Sequence, residues 1–177
     1  MTIERLMELV PPPITPLHAG AVKNWEAVER ELGTEIPTDY KIIIGKYGSG
    51  AFDGYLWLLN PFEPNQHLNL RNHGAYLRES FAELRSQSPN IYGSPIFPER
   101  GGLLPWATTD EPDMIGWIVD GRSQNWAVGV HNTAENKIID FGCNTTEFLV
   151  RLLSKELTGL WFVPDDFPQT PSSFIQL

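Results

Sequence analysis

The sequence predicts an α+β fold in a single domain. Apolar residues recur at helical spacing within the first fifty positions and again before the last twenty. Between Leu103 and Phe141, four short aliphatic and aromatic runs follow one another, joined by polar links too short for parallel crossovers. A length of 177 residues suits one substantial core, and 15 Pro with 15 Gly imply many turns rather than a long helical bundle.

Taken in order, residues 1–20 read as an arm broken by Pro11, Pro12, Pro13 and Pro16. Residues 21–158 read as the folded domain. Its first helix, over 21–32, places Val22, Trp25, Val28 and Leu32 near helical spacing and stops at Gly33. After the link at Ile36 and Pro37, Thr38 is positioned to cap a second helix, with Asp39 in its first turn against the positive end of the dipole. Tyr40, Ile43, Ile44 and Tyr47 form the buried stripe, and Gly48 ends the helix. The period then changes, and residues 55–59 predict a strand closed by Asn60 and Pro61. Residues 65–86 predict a third helix, with Leu70, His73, Leu77, Phe81 and Leu84 on one face. A loop over 88–102 leads into strands at 103–108, 114–119, 126–131 and 137–141, linked as hairpins. Asn144 caps a last helix, with Glu147 three residues on in capping-box position. Residues 159–177 form a tail carrying Trp161, Phe162, Phe167 and Phe174 among prolines, expected to lie as a strap over the domain.

The formal charge of −9 disfavours direct nucleic-acid binding, which relies on Lys and Arg displacing counterions, and disfavours anionic membranes. It suits either plain solubility or a basic protein partner. A single cysteine, Cys143, allows no intrachain disulfide. Glu4, Arg5 and Glu8 precede the prolines, unlike a signal peptide, and no apolar run is long enough to span a bilayer. A soluble cytoplasmic protein is the expectation.

Chemistry finds little support. The glycines of 45–50 surround Lys46 as in a phosphate loop, but a helix precedes them and a strand follows, the reverse of a phosphate-binding loop. His18, His67, His73 and His131 lack metal-ligand spacing, and one cysteine cannot build a thiolate site. No cofactor or metal is expected. Cys143 sits where a strand hands over to a helix, a common place for a small buried residue. Ser49, between two glycines, lacks the preceding strand of a nucleophile elbow. Asp110, Glu111, Asp113 and Asp120 gather on two successive hairpin turns, as ordinary solvated turn residues or as a docking surface for a basic protein. Trp117 and Trp126 are candidate aromatic anchors beside them.

The stretch "WEAVERELGTEIPTDYKIIIGKYGSGAF", then "LLNPF", "GGLLPWATTDEPDMIGWIVDG" and "TTEFLVRLLSKEL", resembles the SUKH superfamily in order and spacing. This superfamily includes the yeast cell-wall-synthesis regulator domain and many bacterial immunity proteins. The residues that carry the likeness are Trp25, Gly33, Pro37, Asp39, Tyr40, Tyr47, Gly48, Gly50 and Pro105. The resemblance implies a curved antiparallel sheet and no catalysis. It also implies a protein partner: for bacterial members a toxin, very often a nuclease, and elsewhere a regulatory or scaffolding contact. A small-molecule enzyme would instead need a deep polar pocket in the sheet.

Overall fold

The structure, a computed structural model, describes residues 2–20, 22–89, 92–110 and 114–177. Five helices, α1 (Ile3–Leu9), α2 (Val22–Leu32), α3 (Thr38–Tyr47), α4 (Leu70–Gln87) and α5 (Thr145–Leu153), surround one antiparallel sheet. Its strands are β1 (Gly50–Phe52), β2 (Leu56–Leu58), β3 (Leu103–Thr108), β4 (Met114–Ile118), β5 (Val128–Asn132), β6 (Lys137–Asp140) and β7 (Phe174–Gln176), in the spatial order β6-β5-β4-β3-β2-β1-β7. The expected α+β architecture, with helices first, a meander and a closing helix, is therefore present.

Local chemistry sets most boundaries. α2 ends where Gly33 adopts φ +74°, its N–H returning to the Glu29 carbonyl. α3 begins one residue earlier than capping by Thr38 would place it. Pro37 occupies the N-cap position and no side chain caps there. α5 is capped as expected, with the Asn144 side chain accepting the Glu147 N–H at 2.9 Å. α4 starts at Leu70 rather than near residue 65, because Asn69 caps it and also donates to the carbonyls of Pro61 and Glu63.

Three further segments differ from the sequence expectation. The N-terminal arm contains α1, whose Leu6 joins the core with Val10 just beyond it, both fully buried. The single strand expected over 55–59 is a hairpin of two short strands. Asp53 and Gly54 both take positive φ and turn the chain, and the Tyr55 N–H bonds back to the Phe52 carbonyl. The tail does not merely lie over the domain: β7 pairs with β1 and becomes an edge of the sheet.

The sheet divides two environments. Ile115, Trp117, Val128 and Val130 belong to the core shared with α1, α3 and α5. There Trp117 meets Tyr40 of α3 edge-to-face at 4.9 Å, and Trp106 meets Phe148 of α5 at 6.1 Å. Met114 and His131, on the other face, line a pocket together with Phe81 and Arg78 of α4, and the Phe81 ring meets His131 edge-on at 4.9 Å. The β3–β4 register shifts between Pro105 and Ala107, a bulge at the strand residue that has no N–H to give.

Candidate partner-binding surface

The candidate anchors separate cleanly by burial. Trp117 is fully buried; its indole N–H donates to the Thr145 hydroxyl at 2.8 Å, and it stacks on Trp106. Trp126 is 4% exposed, packs against Trp117 and donates to the Gly121 carbonyl. Neither can anchor a partner at the surface, which corrects the expectation for both. Sequence patterning could not separate them from exposed aromatics: Trp117 could face either side of its short strand at equal local cost, and Trp126 lies not in the strand expected over 126–131 but in the turn before β5.

The carboxylates do not form one patch. Asp110 is exposed beyond the end of β3, and Asp120 is exposed beyond the far end of β4. Leu103 pairs with Ile118 and Ala107 with Ile115, so the two acids sit at opposite ends of the β3–β4 pair. Asp120 is held by Arg100 through two hydrogen bonds of 2.8 and 3.1 Å. Glu111 and Asp113 lie outside the described residues.

The residues of the family-like stretch converge on structural tasks. Trp25 packs edge-on against Phe62, with the Lys41 ammonium 5.8 Å from its ring. Asp39 accepts the N–H of Tyr40 and, across the core, the N–H of Thr146, so one carboxylate serves the first turns of both α3 and α5. The Tyr40 hydroxyl donates to the carbonyls of Leu59 and Trp106, and burial pushes its phenol well above the ordinary value.

Tyr47, Gly48, Ser49 and Gly50 have the most unexpected role: they are where both terminal segments dock. The Tyr47 hydroxyl donates to the Val10 carbonyl at 2.7 Å. At Gly48, φ +70°, a β-carbon would stand 2.1 Å from the Leu17 carbonyl oxygen, and the next N–H, that of Ser49, donates to this same oxygen. At Gly50 a β-carbon would stand 2.2 Å from the Ile175 carbonyl oxygen. These glycines do more than end a helix; they let two backbones approach.

Ser49, His18 and Glu63 have the composition of a hydrolytic triad but not its geometry. His18 Nδ1 faces both the Ser49 Oγ at 3.3 Å and the Glu63 Oε2 at 3.0 Å, whereas a triad needs opposite ring nitrogens for acid and nucleophile. Ser49 is buried and its Oγ also accepts from Asn60. The cluster fastens the N-terminal segment instead. Burial alone would raise the Glu63 carboxyl, but the Asn65 N–H, the Ser49 hydroxyl and the His18 ring outweigh it and hold the carboxyl below its ordinary value. Its contribution to stability is thus present above the unfolded-state pKa and lost as pH falls through the lower folded value. Glu63→Gln is expected to reduce stability by about 1–2 kcal/mol at pH 7, with a gap from the parent that narrows below about pH 4. Urea midpoints at pH 7 and pH 3.5 measure this; equal gaps at both would sink the assignment.

Elsewhere the chemistry is quiet. Burial raises the Cys143 thiol, so it is not an activated thiolate. Among the described residues, no three His, Cys, Asp or Glu side chains gather as a metal site. A mostly apolar pocket beneath α4 is bounded by Phe81, Ile96, Leu103, Met114 and Ile138, with Arg78 and His131 as its charged or titratable members. No helix among the described residues is long and apolar enough to cross a membrane.

The family model described as SUKH_6, SMI1-KNR4 cell-wall, matches residues 22–149, from the first residue of α2 into α5. No curated protein and no solved structure matches the chain. The matched span contains every residue that carries the resemblance, and five of the six strand pairings; the sixth, β1 with β7, reaches beyond it. By its motif order, its fold and this match, the chain belongs to the SUKH superfamily.

Proposed function

We propose that the chain is a non-enzymatic immunity protein that binds and neutralises a cognate bacterial toxin, a basic nuclease. The observation that carries this reading is a net charge of −9 on a SUKH domain. A nuclease must be basic to hold phosphate, so its inhibitor gains encounter rate and selectivity from an excess of acid. The partner is then a protein: the inhibitor needs no cofactor, no membrane and no direct contact with nucleic acid. Asp110 is exposed and has no cationic partner among the described residues, so it is available to such a toxin.

Co-expression with the toxin encoded beside it is expected to rescue cells from killing. Failure of every neighbouring toxin to bind at nanomolar strength would falsify the reading. Reversing Asp110, Glu111 and Asp113 to Lys is expected to slow association about tenfold at low salt, and less at high salt. An unchanged on-rate in stopped-flow mixing removes that turn from the interface.

The description of the matching family as a cell-wall one favours a second reading, a regulatory or scaffolding module that recruits a cellular partner. A pull-down from the chain's own cytosol distinguishes the two: the second reading requires a partner that is not a toxin.

A further inference from the structure

The free side of β1 is built to receive an extended strand, and the chain's own tail occupies it. We propose that this edge is a second interaction site, which takes an uncharged extended segment of a partner protein carrying Ser-Phe-aliphatic, with the tail as its occupant in cis. The proposal goes beyond the proposed function, since neither toxin inhibition nor scaffolding specifies this surface.

Four features of the contact are those by which a protein reads an extended ligand. First, β7 pairs with β1 in antiparallel register, Ala51 opposite Ile175 and Phe52 opposite Phe174. Second, the Phe174 ring enters an aromatic slot, 5.1 Å from both Tyr47 and Phe52. Third, the carboxylate of Asp53, 7% exposed, accepts the N–H of Ser173 at 2.6 Å and of Gln169 at 3.0 Å. A buried carboxylate satisfied by main-chain donors recognises backbone, and it excludes an acidic side chain beside it. Fourth, Gly50 leaves room for the incoming backbone at the Ile175 carbonyl.

Receiver and occupant also differ in origin. Tyr47, Gly50, Phe52 and Asp53 lie inside the family-matched span, whereas residues 169–177 lie beyond its end at residue 149. The occupant is short and half-solvated: β7 has 3 residues, and Ile175 and Leu177 are 49% and 47% exposed. Such a strand competes with a segment in trans without disturbing the core beneath it.

The probe is a fluorescent peptide with the sequence of residues 168–177, titrated by anisotropy against the full chain. Ile175→Pro removes an N–H from the β1 ladder at an exposed position and loosens the tail without emptying the core. It is expected to raise peptide affinity at least about tenfold, because more of the chain has a vacant edge. Phe174→Ala, which empties the aromatic slot in cis, is expected to act in the same direction. Adding Asp53→Asn to Ile175→Pro keeps a residue that tolerates the left-handed turn and is expected to reverse the gain. A peptide with Glu in place of Ser173 is expected not to bind. Unchanged affinity on Ile175→Pro, or equal binding of the Glu peptide, overturns the proposal. So does a concentration-dependent dimer that excludes the peptide, which would make a second copy the occupant. Cell rescue by the chain is a separate readout, so failure here leaves the toxin reading standing and failure there leaves this one.

Discussion

Trp117→Ala is expected to destabilise the fold by about 4 kcal/mol. The ring is fully buried between Tyr40 and Trp106, and the substitution also leaves the Thr145 hydroxyl without its indole donor. Trp117→Phe, which restores much of the volume but not the N–H, is expected to cost about 1–2 kcal/mol. Denaturant midpoints with an unchanged slope provide the measurement. If Trp117 instead anchored a partner, alanine would abolish binding and leave the midpoint nearly untouched; that outcome would refute its assignment to the core.

Gly48→Ala is the second large effect, about 3 kcal/mol. Gly48 has φ +70° and ψ −144°, a backbone region nearly reserved for glycine. Its missing β-carbon is replaced by the Leu17 backbone, which cannot swing aside like a flexible side chain. The control lies three residues away. Gly45 is helical, with nothing within 4 Å of a built β-carbon, so Gly45→Ala is expected to stabilise by about 0.5–1 kcal/mol. Thermal melts of the two variants should therefore move in opposite directions. A shift of the same sign in both would show that the terminal segment does not seat on Gly48.

Helical period and short hairpin links are legible in the sequence, whereas the backbones that seat on Gly48 and Gly50 are not. α3 and α5 were readable because the 3.6-residue period of Ile43, Ile44, Tyr47 and of Phe148, Leu149, Leu152 is a local property. The four meander strands were readable because each pairs with its neighbour through a short polar link. The β1–β2 hairpin was also signalled locally, by Asp53-Gly54, but a continuous aromatic run hid the turn. α1 was masked by the prolines that follow it. The pairing of β7 left no local trace, since its register is set by Gly50 and Asp53 on the far side of the sequence. The candidate surface was the least legible part. Charge and aromatic content are readable from composition, but exposure is decided by tertiary placement: the face of β4 that Trp117 takes, and the turn before β5 that folds Trp126 against it.

The strand order has a consequence for how the molecule assembles. Every neighbouring pair in the sheet joins consecutive strands except β1 and β7. That one pairing closes a loop from Gly50 to Gln176, and its loop-closure entropy is the largest in the sheet. The nucleus therefore belongs to the meander and the helices packed on it, with β7 the last strand to join and the first to leave. Because the Phe174 ring fills its slot between Tyr47 and Phe52 only when β7 joins, any species that has folded everything but this strand carries both an open ladder and an unfilled aromatic slot.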